Sequence, residues 1–335
     1  MRWKSFRRFC AVALLTAGTC LVPGSAGAAP VVCEDVTVPV RVLPTTQTMY
    51  GRLCTPRGAD TLQVLIPGGT YNSSYWDIAY TPGTRSYRQA MNNAGQATLA
   101  VDRLGTGRSS KPLSTLITAT AQANAVHEVV QAMRARFDRI IVGGHSIGAA
   151  MAMIEAGLHH DVDGVLVTGM THRMNHITVL PVMANMVPAA LDPQLAARGQ
   201  DPGYLTTSAG TRFDAFHTPG PLVPEAIAED EAKKDVFAAT EAVDTIALTN
   251  VVIPFTRRID VPVMIVVGND THFCGAPLGS DCSSPEALRA SEAPYFSSAA
   301  RLHTYILNGY GHSINYAPNA PDYHRAVLAW TSTLG

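Results

Sequence analysis

The sequence has few charged residues and no excess of positive charge. Asp, Glu, Lys and Arg make up 15% of its 335 residues, with 25 basic and 26 acidic side chains. No basic stripe argues for nucleic acid binding. Internal repeats, low-complexity blocks and long runs of like charge are also missing. We therefore expect no nucleic acid partner, and a chain that is globular throughout.

The apolar run near the N-terminus, residues 9–22, is too short to span a bilayer as a stable helix. Basic residues precede it, and Ala26-Gly27-Ala28 after it fits the small-x-small rule of signal peptidase. We therefore predict a signal peptide over residues 1–28, secretion to the extracellular space and no stable membrane insertion. A retained anchor is the alternative, and Arg7-Arg8 leaves the twin-arginine route open beside general export.

Removal of this leader changes the charge and the cysteine count. Four of the 25 basic residues leave, so 21 remain against 26 acidic ones and the net charge falls to about −5. Four of the six cysteines remain, and an even number in an exported chain suggests disulfides. Proximity in sequence favours the pairs Cys33–Cys54 and Cys274–Cys282. A metal site is the alternative, but no close Cys-Cys-His spacing supports it.

Short apolar runs without alternation recur along the chain, as in strands that are buried on both faces of a parallel sheet. They cover residues 62–66, 97–101, 139–142, 165–168, 261–267 and 302–307. Helical patterns lie between them, at 119–136, 147–158 and 321–333. Two earlier runs, 36–43 and 48–54, predict an antiparallel start. The alternation predicts a mostly parallel, doubly wound α/β sheet.

The segment 171–256 interrupts this alternation, because it contains no clear buried strand and is rich in Met, Ala and Pro. It follows the sixth predicted strand and ends just before the next. Residues 29–170 and 257–335 are thus predicted to form two parts of one core, and residues 171–256 a helical cap. Such a cap would cover the carboxyl edge of the sheet, where ligands bind in folds of this kind. A peripheral subdomain is the alternative.

The motif Gly144-His145-Ser146-Ile147-Gly148 joins a predicted strand to a predicted helix. The pattern G-x-S-x-G places serine on a tight strand-to-helix turn with strained backbone angles, which requires small flanking residues. The start of the helix adds backbone N–H groups and the positive end of a dipole. We therefore predict that Ser146 is a nucleophile.

A serine hydroxyl is a weak nucleophile and needs a base that is oriented by an acid. Asp270 follows the run 261–267, and His312 follows the run 302–307, in the order serine, acid, histidine. We predict His312 as general base and then acid, and Asp270 as the group that fixes its tautomer. Either residue alone has an ordinary loop interpretation, but their joint occurrence at strand ends favours a triad.

Acyl transfer also needs N–H donors for its oxyanion. The backbone N–H of Ile147, directly after the serine, is one candidate. The loop Pro67-Gly68-Gly69-Thr70 is expected to supply the second, with Gly69 as first choice and Thr70 as second. A tight turn that merely requires glycine is the alternative.

Together these features resemble the α/β-hydrolase superfamily over nearly all of the mature sequence, as a secreted serine esterase or lipase-like member with a cap insertion. The stretch Asp102 to Ser109 is similar to the superfamily's D-x-x-G-x-G-x-S loop, which is usually structural. Pro67 stands where many relatives carry His, so the full HGGG signature of one lipase and esterase group is absent. The resemblance implies hydrolysis but hardly defines the substrate.

Histidine and methionine residues raise two further hypotheses. His159-His160-Asp161 resembles a metal motif, but its place at a helix end favours a solvated cap. Met and His at the start of the insertion can line an acyl pocket, since Met packs adaptably, although core packing is the default. The predicted pocket residues are Thr70, His145, Met170, His172 and Phe216.

The sequence therefore predicts hydrolysis of small-molecule carboxylic esters through an acyl-enzyme, with no metal or organic cofactor. Esters of small or medium apolar acids rank first, and thioesters, lactones and amides are the alternative substrates. Serine at position 146 argues against haloalkane dehalogenase or epoxide hydrolase chemistry, for which relatives carry aspartate. A peptidase or amidase is the first alternative, and an inactive hydrolase-like binding protein is the second. An acidic anchor in the cap would favour the first alternative; the candidates are Glu225, Glu229, Asp230 and Glu231.

Overall fold

The computed structural model describes residues 30–250 and 255–334; the predicted signal peptide lies outside the described residues. The strands are β1 (Val31–Val42), β2 (Thr45–Pro56), β3 (Thr61–Ile66), β4 (Ala97–Val101), β5 (Arg139–His145), β6 (Gly164–Thr168), β7 (Met186–Pro188), β8 (Tyr204–Thr207), β9 (Phe237–Ala238), β10 (Val263–Gly268) and β11 (His303–Leu307). The α-helices are α1 (Pro82–Arg85), α2 (Tyr87–Asn93), α3 (Ala119–Met133), α4 (Ile147–His159), α5 (His176–Ala184), α6 (Pro224–Lys233), α7 (Ala239–Asn250), α8 (Pro285–Glu292) and α9 (Ala320–Thr331).

Eight strands form the central sheet in the order β1-β2-β4-β3-β5-β6-β10-β11. The β1–β2 hairpin and the β2–β4 pair are antiparallel, and all the other neighbours are parallel. Every residue of β3, β4, β6 and β10 is buried. A strand buried on both faces needs no polar alternation, which accounts for the short apolar runs in the sequence. The predicted mostly parallel, doubly wound sheet is confirmed.

Two apolar layers cover the two faces of this sheet. Residues of α3 and α4 pack on one face, and residues of α2 and α9 pack on the other. Successive residues of β3 show the division, since Val64 and Ile66 belong to the first layer and Leu65 to the second. The alternating side-chain directions of a strand thus contribute to two separate cores. Both layers also include residues of the segment between β6 and β10, such as Tyr204 in the first and Phe216 in the second.

The insertion between β6 and β10 is not purely helical. It carries α5, α6 and α7, together with a three-stranded antiparallel sheet in the order β7-β8-β9. These strands are two to four residues long. The sequence did not reveal them because so short a strand gives no readable period-two pattern. The bounds 171–256 for a separate cap stay a prediction.

Both predicted disulfides are present. Cys33–Cys54 joins residues directly opposite each other in β1 and β2, and Cys274–Cys282 closes a loop after β10. Disulfides of this kind are typical of proteins that fold in oxidising compartments. Of the helices formed by described residues, none combines the length and apolar character needed to cross a bilayer.

A thiol count tests the pairing. The chain from residue 30 onward, unfolded in denaturant without reductant, should show no free thiol, because all four of its cysteines are bonded. Reaction with a chromophoric disulfide reagent measures this, and the same sample after reduction is the positive control. Two or four free thiols in the unreduced sample would contradict the assignment.

Candidate active site

Ser146 lies on a strained turn between β5 and α4. Its backbone has φ 54° and ψ −125°, a conformation that costs a residue with a side chain about 1–3 kcal/mol. The turn leaves no room for side chains on either side. A Cβ at Gly144 would overlap the carbonyl oxygen of Gly148, and one at Gly148 would lie 2.5 Å from the carbonyl oxygen of Pro67. A hydrogen bond of 2.9 Å from the Ser146 N–H to the Thr168 carbonyl anchors the turn to β6.

Asp270 and His312 follow the neighbouring parallel strands β10 and β11, so the sheet brings them to the same edge as Ser146. His312 Nδ1 donates to Asp270 Oδ2 at 2.6 Å, and both side chains are buried. Ser146 and His312 line one cavity. With Nδ1 held by the carboxylate, Nε2 is the nitrogen of His312 left to exchange a proton. The structure thus brings the three predicted residues together.

The charge of Asp270 is maintained by two imidazoles. Burial alone would raise its pKa, but His312 and His272 outweigh burial and hold the pKa of Asp270 below its ordinary value. A carboxylate that stays ionised in a buried place is suited to stabilise an imidazolium as it forms.

His272 is a member of this group that sequence reasoning missed. Its Nδ1 lies 2.8 Å from Asp270 Oδ1, its ring centroid lies 5.5 Å from that of His312, and its side chain lines the cavity. Burial lowers its pKa, but the charge of Asp270 dominates, and the net effect is a raised pKa. The sequence signal that indicates this contact is the spacing Asp-x-His. The Asp270 carboxylate accepts a hydrogen bond from the His272 backbone N–H at 3.0 Å, which keeps the two side chains close together.

The loop after β3 passes directly beside the serine. A Cβ at Gly68 would lie 3.1 Å from the Cβ of Ser146, and one at Gly69 would lie 3.3 Å from Cδ1 of Ile147. Thr70 has φ 61°, a left-handed conformation that is uncommon for residues other than glycine. Gly69, Thr70 and Ile147 all line the cavity with Ser146. The three predicted oxyanion donors are therefore grouped at one place.

The cavity above Ser146 measures about 140 Å³ and is lined mainly by apolar side chains. Apart from the residues already described, its lining consists of Met174, Val179, Val182, Met183, Met186, Phe216, Phe237, Ala242, Thr245, Ile246 and Phe273. Most of these belong to the insertion, including three methionines, which adapt to varied apolar ligands. Of the predicted pocket residues, Thr70 and Phe216 lie here.

The other three predicted pocket residues lie elsewhere. His145 is fully buried behind Ser146 and stacks on Tyr75 with ring centroids 4.3 Å apart; burial, together with His312, lowers its pKa. Met170 packs in the core below the sheet edge. His172 Nδ1 bonds the buried Glu292 carboxylate at 2.6 Å. All three are buried core residues: His145 is the last residue of β5, and Met170 and His172 follow β6. Among the described residues, His145 Nε2 has no hydrogen-bond partner.

A buried polar network joins the insertion to Thr70 in the loop after β3. Arg212 Nη2 donates to Asp230 Oδ1 at 2.8 Å, and Arg212 Nη1 donates to the Thr70 hydroxyl at 3.0 Å. His217 Nε2 lies 2.7 Å from Asp230 Oδ2. Burial would raise the pKa of Asp230, but Arg212 and then His217 hold it below its ordinary value. A buried ion pair with this many partners fixes the position of Thr70.

The same network supports the histidine loop. The Tyr71 and Ser313 hydroxyls are 2.7 Å apart, and the Ser313 N–H donates to the Phe216 carbonyl at 2.8 Å. The Gly311 N–H donates to the His217 carbonyl at 3.2 Å. Residues on both sides of His312 are thus bonded to the segment 213–217 of the insertion.

Metal-ligating groups also occur at this site, since ligand atoms of Asp270, His272 and His312 lie within 4.8 Å of one another. Each carboxylate oxygen of Asp270 already has an imidazole Nδ1 as its partner. The arrangement is therefore complete as a hydrogen-bonded carboxylate with two imidazoles.

The chain is similar to known proteins in sequence and in fold. A model described as the alpha/beta hydrolase family matches residues 63–322. A thermophilic esterase from Thermogutta terrifontis has a similar structure, with TM-score 0.60 and 16% identity over 90% of this chain and 99% of that one. Carboxylesterase CesB from Bacillus subtilis has TM-score 0.58 and 16% identity, over 90% and 92% of the two chains.

An enol-lactonase from Burkholderia xenovorans LB400 is similar as well, with TM-score 0.58 and 17% identity over 85% of this chain and 97% of that one. A search of curated protein sequences found no match. At these identities, similarity between structures shows a shared fold and leaves the substrate open.

Replacement of Asp230 by Ala should lower the free energy of unfolding by about 3–5 kcal/mol, because it leaves the buried Arg212 cation without its partner. Urea denaturation measures this. Glu225→Ala, on the exposed side of the same helix, is the matched control and should cost less than about 1 kcal/mol. Equal losses in the two variants would show that the network contributes nothing of its own.

The His272–Asp270 pair should make stability depend on pH. Because the pKa of His272 is raised on folding, its contribution is fully present below the unfolded value of about 6.5 and is lost as the pH rises through the folded value. His272→Ala should therefore lower the free energy of unfolding more at pH 5.5 than at pH 9. Urea titrations at both pH values measure the difference, with the exposed His303→Ala as control. An equal loss at the two values would refute the coupling.

Proposed function

Since this chain belongs to the alpha/beta hydrolase family, we propose that it is a serine hydrolase that cleaves small-molecule carboxylic esters through an acyl-enzyme. One observation carries the proposal: the 2.6 Å bond between His312 and Asp270 stands at a cavity that Ser146 also lines. A nucleophile, a base and a buried acid at one sheet edge are the parts that acyl transfer requires. The similar structures, an esterase, a carboxylesterase and an enol-lactonase, support the same class.

In the first step, Ser146 Oγ attacks the ester carbonyl carbon while its proton passes to His312 Nε2. Asp270 stabilises the resulting imidazolium through Nδ1. The carbonyl oxygen becomes an oxyanion, which accepts hydrogen bonds from the Ile147 N–H and from the Gly69 or Thr70 N–H. When the intermediate collapses, the bond to the alcohol oxygen breaks, and the proton on Nε2 moves to that oxygen.

In the second step, water attacks the acyl-enzyme carbonyl and gives a proton to His312. The bond between the acyl carbon and Ser146 Oγ then breaks, and the proton returns to Oγ. The products are one carboxylic acid and one alcohol, and Ser146 is restored. Every proton in this cycle moves through His312, so the sequence of steps needs no organic cofactor or metal.

The lining of the cavity supports esters of small or medium apolar acids. A cavity of about 150 Å³ holds a group the size of benzene, and the cavity above Ser146 is about 140 Å³. Its methionine, valine and phenylalanine side chains favour an aliphatic or aromatic group over a polar one. The size favours short acyl chains over long ones.

Cleavage of peptides with a free amine has less support. None of the described residues that line the cavity is acidic. The proposed anchors have other partners: Glu229 accepts from the backbone N–H groups of Ala79 and Tyr80, and Asp230 from Arg212. Glu231 accepts from the Gly210 N–H, and Glu225 is exposed on α6. An inactive binding protein has no need to keep Ser146, Asp270 and His312 in this arrangement.

We also propose that the protein acts outside the cell. The N-terminal sequence has the three regions of a signal peptide, and two disulfides are suited to an oxidising compartment. This proposal concerns export of the mature chain, without stable membrane insertion.

Hydrolysis of p-nitrophenyl esters tests the proposal. The purified protein should hydrolyse the butyrate, and Ser146→Ala should lower kcat at least about 10³-fold, because the nucleophile is lost. A fluorophosphonate probe should label the wild type and not the variant. Ser332→Ala, an exposed serine on the last turn of the chain, should keep both activity and labelling.

A series of chain lengths then ranks the substrates. Acetate to hexanoate should give the highest kcat/KM, and palmitate a much lower value, because the cavity is small. Amide analogues of the best ester, tested beside it, separate esterase from amidase activity. Absence of both turnover and labelling in the wild type would refute a serine hydrolase.

A further inference from the structure

A second group of charged side chains lies away from the cavity, between α3 and α4. It consists of His127 on α3, Glu155 on α4 and Asp161 in the loop before β6. Ligand atoms of the three residues lie within 4.8 Å of one another. The cluster plays no part in the proposed hydrolysis, since Glu155 lies nine residues beyond Ser146, on the order of 13 Å along the helix axis.

Glu155 is the unusual member of this group. Its side chain is completely buried, and neither carboxylate oxygen has a hydrogen-bond donor among the described residues. The same holds for Asp161 Oδ1. A buried carboxylate without donors is costly, so such a group either takes up a proton or binds a cation. Glu155 and Asp161 therefore offer unused oxygen atoms at the same point.

The imidazole of His127 lies beside these oxygens, and its neighbours fix its orientation. Its Nδ1 lies 2.8 Å from Asp161 Oδ2. The His159 ring stacks on the His127 ring with centroids 3.8 Å apart, and His159 Nε2 is fixed by the Asn124 side chain at 2.9 Å. The stacking contact and the bond to Asp161 together fix the orientation of the His127 ring.

Two further side chains hold Asp161 in position. The Gln131 amide and the Arg134 guanidinium both donate to Asp161, the first to its carboxylate and the second to its carbonyl. The side chain of His127 is 29% exposed and that of Asp161 is 15% exposed. The group is therefore closed on the side of Glu155 and open to water on the side of His127.

We propose that His127 Nδ1 and the carboxylates of Glu155 and Asp161 bind one divalent transition-metal ion of the zinc class. An imidazole nitrogen with two carboxylates suits zinc, whereas calcium and magnesium prefer oxygen ligands alone. A water molecule on the open side completes a tetrahedral set. The ion joins α3, α4 and the loop before β6, so its effect is on stability.

The three residues of the sequence motif His159-His160-Asp161 therefore have different roles. Asp161 is a ligand, and His159 positions the ligand His127. His160 faces away from the group, with its Nδ1 3.2 Å from Asp260 Oδ2. The ligands come from three separate segments, and consecutive spacing therefore concealed them.

A proton on the Glu155 carboxyl is the alternative to a bound metal ion. Burial raises the pKa of Glu155 to about 10, so without a metal ion Glu155 stays protonated at neutral pH, next to the Asp161 carboxylate. If Glu155 keeps its proton, added zinc should neither bind nor raise the Tm. If the group binds zinc, both effects should appear.

Zinc binding to the full chain, without a histidine tag and after treatment with EDTA, tests the proposal. Calorimetry should show one zinc ion per chain, and a slight excess over saturation should raise the Tm by roughly 5 °C. Magnesium and calcium should have little effect. Glu155→Gln and His127→Asn should each weaken zinc binding at least tenfold. His303→Ala, which removes an exposed histidine on β11, is the matched control and should bind zinc like the wild type.

Circular dichroism of the two variants shows whether they are folded, and the partly exposed position of His127 makes its variant the safer one. No zinc binding to the wild type would overturn the proposal. Undiminished binding to both variants, with inhibition of ester hydrolysis, would place zinc on Asp270, His272 and His312 instead, and would also overturn it. Failure of ester hydrolysis alone would leave the zinc result unaffected, since the two sites share no residue.

Discussion

The backbone of Ser146, with φ 54° and ψ −125°, is a constraint on which the rest of the site depends. A conformation that costs about 1–3 kcal/mol persists only where its surroundings hold it in place. Here β5 enters the turn paired with β3 on one side and β6 on the other, and α4 begins directly after Ser146. Gly144 and Gly148 supply the close approach that any side chain would prevent. In return, the serine hydroxyl stands at the sheet edge rather than within the core.

The position of Ser146 matters because the neighbouring strands bring other side chains to the same edge of the sheet. Asp270 and His312 follow β10 and β11, and the loop 67–70 follows β3. Together with Ser146 after β5, four segments distant in sequence thus meet through strand order alone. The insertion then contributes on two levels. Its apolar side chains line the cavity, and its buried Arg212–Asp230 pair reaches Thr70 on one side, while residues 216 and 217 bond the backbone beside His312 on the other. The lining of the cavity and the backbone beside His312 are thus held by the same network.

Much of this could be predicted from sequence, for a physical reason. The turn at Ser146 has strict steric requirements, buried parallel strands give apolar runs, and Asp270 and His312 directly follow such runs. Both disulfides likewise followed from proximity and were correct. The pocket was harder, because His145, Met170 and His172 lie near the site in sequence but turn into the core. His272, the short strands β7 to β9 and the Glu155 group depend on tertiary contacts that no local pattern records.

The proposed hydrolysis proceeds through a covalent ester on Ser146. Rapid acid quenching during turnover of p-nitrophenyl butyrate, followed by mass spectrometry of the intact and digested chain, tests it most directly. A mass increase of one butyryl group should appear on the peptide that contains Ser146, together with a burst of p-nitrophenol. Turnover without any acylated chain, or with the acyl group on a different residue, would contradict it.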